Sequence, residues 1–112
     1  RWQTRFFIAA LPPGQVAEHD GREVTDSRWL RPADAIALVR SRELEMPFPT
    51  VRTLRELESL ESSAALLGWA AQRHGRGIVK IRPAMATVDG KTRILVPGDP
   101  GYEAADEQWQ AN

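Results

Sequence analysis

The stretch DGREVTDSRWLRPADAIALV, residues 20–39, changes from a strand pattern to a helix pattern within a few positions. Its Asp-Gly pair favours a turn, and residues 23–29 have little apolar content before Trp29. Pro32 stands where a first-turn proline is tolerated, and Asp34 is favoured near the positive end of a helix. The apolar side of this helix consists of Ala35, Ile36, Leu38 and Val39. We therefore predict a polar strand, at a sheet edge or lining a cleft, followed by an amphipathic helix.

The segment WQTRFFIAAL, residues 2–11, precedes this unit and alternates as a β-strand does. Its second face becomes apolar toward the end, which is typical of a strand in a sheet that is covered on both sides. The segment PPGQ, residues 12–15, ends the strand, because proline cannot donate to a ladder and glycine permits a turn. The first part of the chain is thus predicted to run strand, strand, helix.

Two further helices are predicted after the break MPFPT, residues 46–50, where each proline disfavours helix at the residue before it. Thr50 can cap the first of these helices. Its apolar residues are Leu54, Leu57 and Leu60. Ser62 or Ser63 can cap the continuation, and Gly75 is expected to end it.

The last predicted element is a hairpin around Asp89-Gly90, a pair that suits a turn with positive φ at both central residues. It joins GIVKI, residues 77–81, to TRILVP, residues 92–97. The following PGDPGYE, residues 97–103, is typical of turns.

The elements together predict an α/β fold with a mixed sheet (α+β) in a single domain over residues 1–103. Residues 104–112 are predicted to form a polar tail, in which Trp109 is the one apolar aromatic. The chain shows no internal repeat and no linker long enough to separate two domains.

Composition excludes several classes of function. The 112 residues are 42% hydrophobic and 27% charged, which predicts a folded, solvated domain or a piece of one. Fifteen Lys and Arg balance fifteen Asp and Glu, so the chain has no basic surplus for duplex nucleic acid or an anionic membrane. We expect neither partner.

The chain contains no cysteine, which excludes disulfides, thiolate catalysis and cysteine-based zinc sites. This agrees with a cytoplasmic protein. The longest apolar stretches, FFIAAL and AALLGWAA, are far shorter than the roughly 20 residues that span a bilayer. The first residues have a strand pattern without the layout of a signal peptide. We expect neither an anchor nor an export signal.

Potential metal ligands or acid/base groups cluster in one short segment. They are Glu18, His19, Asp20 and Glu23. The simpler interpretation is a solvated loop, and a metal site would need further ligands from elsewhere. His74 has a structural interpretation as a cation near a helix C-terminus.

The segment RELESLE, residues 55–61, carries Arg55, Glu58 and Glu61 and is predicted to form a solvated charged face. A nucleophile elbow, a phosphate-binding glycine loop and a zinc-protease helix are all missing from the sequence. The residues by themselves therefore give no complete catalytic set.

Four segments resemble, in their order, the C-terminal part of Nudix hydrolases, and most closely the bacterial branch related to peroxisomal coenzyme A diphosphatases. They are RWQTRFFIAALPPGQ, EVTDSRWLRPADAI, MPFPTVRTLRELE and ILVPGDPGYE. The resemblance implies a partial Nudix-type α/β/α sandwich, extended by the C-terminal hairpin. It also implies hydrolysis of a nucleoside diphosphate linked to another group, such as coenzyme A or a nucleotide sugar, with Mg²⁺ or Mn²⁺.

The Nudix box, a spaced set of glycine, glutamate and arginine residues that supplies metal ligands, does not occur in this sequence. Its nearest approach is RELESL, where Ser59 and Leu60 occupy the positions of the paired glutamates. In the family the box precedes the strand that TRFFIAAL resembles, so we expect it before Arg1. Without it, residues 1–112 are expected to be inactive alone.

Some Nudix enzymes place an additional acidic residue, a metal ligand or base, ahead of a tryptophan. Glu23 has that relation to Trp29 and is the candidate catalytic and metal-binding residue that the resemblance implies, with Asp20 as a second metal candidate. The structural alternative for Glu23 is an exposed carboxylate of an edge strand.

Three functions follow from these observations. The first is the C-terminal part of a Nudix pyrophosphohydrolase, which would bind a nucleoside diphosphate conjugate and pair with the missing N-terminal half. The second is a noncatalytic Nudix-like binding or dimerisation module, because sheet edges left open favour pairing with another chain, including a homodimer. The third is an unrelated α+β domain.

Overall fold

The structure, a computed structural model, describes residues 3–111. Its helices are α1 (Pro32–Arg40), α2 (Phe48–Leu57), α3 (Ser63–Arg76) and α4 (Tyr102–Ala111), and its strands are β1 (Ala84–Val88) and β2 (Lys91–Leu95). This confirms the mixed α and β class and is consistent with a partial Nudix-type domain. Residues up to 76 and residues from 77 form two compact units. None of the helices in the described range has the length and apolar content needed to span a bilayer.

Helix α1 begins at Pro32, as predicted, because proline at the first helical position removes an N–H group that would have no helical partner. Its apolar side supplies two of the most buried residues of the first unit, Ala35 and Ile36. Helix α2 packs against α1 and contributes the buried Leu57. These two helices form the small core of the first unit.

Helix α2 begins earlier than the sequence pattern suggested. Its N-cap is Pro47 and its first residue is Phe48, whereas Thr50 lies inside the helix and donates its N–H to the Pro47 carbonyl at 3.0 Å. The prediction of Thr50 as the cap is therefore wrong. Pro49 does not delay the helix, since the first turn requires no backbone donor at that position.

Helix α3 has the predicted cap but no buried residue. Ser62 is the cap, because its Oγ accepts a hydrogen bond from the N–H of Ala65 at 3.1 Å. The helix continues past the predicted stop at Gly75 to Arg76, and Gly77 follows with a φ of +88°. His74 lies in the last turn of α3 with two arginines, which is the helix C-terminus that its structural interpretation requires.

The second unit contains a hairpin whose turn is the predicted Asp89-Gly90, with φ of +51° and +72°. Its register pairs Val88 with Lys91 and Ala84 with Leu95. The first strand is thus β1 and not the predicted segment 77–81. A two-residue turn fixes this register, so that residues 77–81 would have to pair beyond Leu95, where prolines and glycines interrupt the chain.

Helix α4 covers one face of the hairpin. It packs against β1, and Ala84 and Ala105 are both buried. Between β2 and α4, the carboxylate of Asp99 accepts the N–H of Val96 at 2.9 Å, which closes the predicted turn. Residues 104–111, predicted as a polar tail, lie in α4, where Ala105 is the buried residue. Asn112 lies outside the described residues.

The two predicted N-terminal strands are not strands in the part of the chain that the structure describes. Residues 3–11 and 23–29 have no regular secondary structure and no ladder partner there. A β-strand needs ladder hydrogen bonds to a neighbouring strand, and these segments have no such neighbour in the described range. The side chains of Phe7 and Trp29 are accordingly exposed. Trp2, which began the first predicted strand, lies outside the described residues. Within residues 3–111 the sheet consists of the two-stranded antiparallel hairpin.

Candidate functional site

The predicted site residues lie on an exposed turn that Asp20 closes. Its Oδ1 accepts the backbone N–H groups of Arg22 and Val24, each at 3.0 Å. The N–H of Gly21, whose φ is +70°, donates to the carbonyl of Val24 at 3.0 Å. The hydrogen bond from Arg22, followed by that from Val24, holds the pKa of the Asp20 carboxyl below its ordinary value. Asp20 therefore has a structural function in this turn.

Glu23 lies within the same turn, and its side chain is exposed, as are those of Glu18 and His19. No group of three or more acidic, histidine or cysteine side chains in residues 3–111 is arranged to hold a metal ion. A divalent cation needs several oxygen ligands, and Asp20 already uses one carboxylate oxygen to bind the backbone. The described residues therefore do not fit a complete metal centre. The assignment of Glu23 and Asp20 as ligands stays a prediction.

The first unit has an open groove along α2, of about 380 Å³. We call it the α2 groove. It is lined by Met46, Phe48, Val51, Arg52, Arg55 and Glu56. The residues from Phe48 onward recur at the spacing of successive helical turns, so that they form one stripe of the helix. The helical periodicity of apolar and basic residues was visible in the sequence, but sequence reasoning assigned this region only to core and solvent.

Glu56, the carboxylate of the α2 groove, pairs more closely with one arginine than with another. Oε2 of Glu56 lies 2.7 Å from Nη1 of Arg73, on α3, whereas its Oε1 lies 3.9 Å from Nε of Arg52. That Nε is buried and has no hydrogen-bond acceptor among the described residues. Arg55 is exposed, and the structure gives it no ion pair within residues 3–111. The groove therefore presents cationic groups that are available to a ligand.

Arg73 joins α3 to this cluster. Its guanidinium lies 4.5 Å from the centre of the Trp69 ring, one helical turn away, while the same group binds Glu56. The prediction of a solvated face holds for the exposed Arg55, Glu58 and Glu61. Glu56, which that prediction did not single out, is partly buried and links two helices.

A second polar cluster lies in the unit that starts at residue 77. Arg82 forms an ion pair with Asp106, and the hydroxyl of Tyr102 donates to the Arg82 carbonyl at 2.8 Å. Gln110 also donates to Asp106, at 2.8 Å. The Asp106 hydrogen bond holds the pKa of Arg82 above its ordinary value. These contacts attach the chain before β1 to α4 and are structural.

Known proteins with similar sequences support the family resemblance. The chain is 26% identical over 102 residues to the acyl-coenzyme A diphosphatase NUDT19 of Xenopus laevis. It is 29% identical over 103 residues to the acyl-coenzyme A diphosphatase NUDT19 of Homo sapiens. Each alignment covers 91% of this chain and 27% of the relative, so the chain spans about a quarter of the length of these relatives.

No family model matches the chain, and no solved structure matches it. The two relatives nevertheless support the resemblance to Nudix hydrolases of the coenzyme A diphosphatase type that the order of four segments predicts.

Proposed function

We propose that these residues are part of a Nudix-type hydrolase that cleaves the diphosphate of coenzyme A thioesters or of similar nucleoside diphosphate conjugates. The observation that carries this proposal is the similarity, over 91% of the chain, to two proteins named as acyl-coenzyme A diphosphatases. Because the chain spans 27% of those proteins, the activity is proposed for the natural protein that contains these residues.

The proposed reaction is a hydrolysis. The oxygen of a water molecule loses a proton and forms a bond to one phosphorus, the bond from that phosphorus to the bridging oxygen breaks, the bridging oxygen takes up a proton, and two phosphate monoesters leave. The family resemblance adds a divalent ion, Mg²⁺ or Mn²⁺, as the source of electrostatic stabilisation.

Within this proposal Glu23 is an accessory carboxylate of the site. Its exposed carboxylate is available to a substrate, whereas Asp20 is engaged by the backbone. In the natural protein, Glu23→Gln is expected to lower kcat for a coenzyme A thioester at least about tenfold, since positioned acid/base groups contribute roughly 100-fold or more. The matched control is Glu18→Gln, on the same exposed loop. Equal kcat values for wild type and Glu23→Gln would remove Glu23 from the site.

A noncatalytic binding or dimerisation module is the second candidate. The observation in its favour is a set of apolar side chains that are largely exposed. It comprises Phe7, Val16, Trp29, Ile78 and Val79. A natural protein that binds coenzyme A thioesters or itself, and does not hydrolyse them with Mg²⁺ or Mn²⁺, would support this candidate over the hydrolase.

A further inference from the structure

The α2 groove has an excess of positive charge. Arg52 and Arg55 line it, and Glu56 is the one carboxylate among its six lining residues. That carboxylate is bound more closely by Arg73, at 2.7 Å, than by Arg52, at 3.9 Å. Two arginines therefore share one glutamate and Arg55 adds a third positive charge, so the charge complement of the groove is an anion.

The Nε–H group of Arg52 is a hydrogen-bond donor without an acceptor in the described residues. This Nε is buried and lies 3.9 Å from Oε1 of Glu56, while Arg55 extends from the next turn of the same helix face. A buried N–H group without an acceptor is unfavourable, so an oxygen supplied by a ligand would satisfy it. Two guanidinium groups one turn apart suit a phosphate, whose oxygens accept paired N–H donors.

The remaining lining of the groove is apolar. Met46, Phe48 and Val51 are each partly exposed, and Phe48 stands one turn before Arg52. An apolar wall with one aromatic ring, beside two cations, suits a ligand that carries a flat ring close to its phosphate. The groove volume, about 380 Å³, is in the range of small-molecule sites.

We propose that the α2 groove binds the 3′-phosphoadenosine end of a coenzyme A thioester. The 3′-phosphate would lie between Arg52 and Arg55, and the adenine would lie against Phe48 and Val51. This inference rests on the proposed function and names the part of the substrate that the groove recognises. It assigns to Arg52, Arg55 and Phe48 a role in binding and none in bond cleavage.

The test is a calorimetric titration of the natural protein with adenosine 3′,5′-bisphosphate, in the absence of divalent metal. Arg52→Ala and Arg55→Ala are each expected to weaken binding at least about tenfold, the effect of losing one charge-assisted contact. Arg93→Gln, an exposed arginine of β2, is the control and is expected to bind as the wild type does. Circular dichroism of every variant verifies that the helices are retained.

A second probe separates recognition of the nucleoside from attraction of an anion. Phe48→Ala is expected to weaken the binding of adenosine 3′,5′-bisphosphate several-fold and to leave the affinity for inorganic phosphate unchanged. Equal affinities of the wild-type protein for the two probes would overturn the proposal, as would unchanged binding in both folded arginine variants.

The proposed function and the groove fail in different ways. If the wild-type protein does not hydrolyse coenzyme A thioesters, but Arg52→Ala weakens its binding of adenosine 3′,5′-bisphosphate, the groove proposal is supported and the proposed function is contradicted. If it hydrolyses them and Arg52→Ala retains the wild-type KM, the proposed function stands and the groove proposal falls. A raised KM with an unchanged kcat is the result that supports both.

Discussion

At the scale of single residues, the carboxylates of this chain divide between structural and available groups. Asp20 closes a turn through two backbone N–H groups, and Glu56 links α2 to Arg73 of α3. The carboxylate of Glu23 is exposed and has no side-chain hydrogen bond within residues 3–111. Residues with the same chemistry thus have different functions, which depend on the donors that surround them.

The Asp20 turn gives a prediction about pH. The folded pKa of Asp20 is lowered from 3.8, so the stabilisation of the turn is present above pH 3.8 and is lost as pH falls through the lower folded value. We expect the amide signals of Arg22 and Val24 to titrate with a midpoint below 3.8 in NMR spectra. Asp20→Asn, which keeps an acceptor oxygen, should remove this titration and retain the turn. A midpoint above 3.8 would contradict the assignment.

At the scale of elements, α3 and the hairpin depend on local geometry, because each has little core to hold it. Helix α3 has no buried residue, and the hairpin is covered on one face, by α4. In such elements the capping and turn residues contribute a large share of the stability, since isolated short helices and two-stranded hairpins are marginal in water.

Removal of the α3 cap is therefore expected to be measurable. Ser62→Ala deletes the Oγ that accepts the Ala65 N–H, and we expect a loss of about 1 kcal/mol in the free energy of unfolding together with lower helicity. Ser63→Ala, at the first residue of the helix, is the matched control and should change little. Urea titration monitored by circular dichroism measures both. Equal effects of the two substitutions would show that Ser62 is not the cap.

The hairpin turn gives a parallel prediction. Gly90 has a φ of +72°, and a Cβ there would meet no atom within 4 Å, so a substitution would act through backbone conformation alone. Gly90→Ala is expected to cost about 1 kcal/mol, and Gly90→Asn less, since asparagine tolerates positive φ. Amide hydrogen exchange across the pair Ala84–Leu95 measures the effect. Slower exchange in Gly90→Ala would be incompatible with the turn.

The elements also show which features of the fold the sequence can predict. The Asp89-Gly90 turn, the Ser62 cap and the start of α1 at Pro32 all depend on neighbouring residues, and the structure confirms them. The segments 3–11 and 23–29 have strand patterns, but pairing requires a distant partner that their own residues do not specify. The α2 groove was missed for a similar reason. Its excess of positive charge results from the close pairing of Glu56 with a residue of another helix.

At the scale of the whole molecule, the chain exposes apolar side chains that folded proteins usually cover. Ile78 and Val79 are 78% and 79% exposed, and Met85 and Ile94 face each other on the open side of the hairpin. Such surfaces favour association with another polypeptide, whether a further part of the natural protein or a second copy.

Residues 1–112 in isolation are therefore expected to self-associate as concentration rises. Val79→Ser should weaken this association several-fold, because it removes apolar surface from an unpaired segment. Lys80→Ser, at the adjacent exposed position, is the matched control. Sedimentation velocity measures the oligomeric state. A chain that remains monomeric at high concentration would count against the dimerisation module.

The central claim is that these residues serve the hydrolysis of a diphosphate, and the identity of the products tests it most directly. The natural protein, incubated with a coenzyme A thioester and Mg²⁺, is expected to release adenosine 3′,5′-bisphosphate and an acyl phosphopantetheine, identified by mass spectrometry. Release of free coenzyme A and a carboxylic acid, or recovery of intact substrate with either Mg²⁺ or Mn²⁺, would contradict the claim.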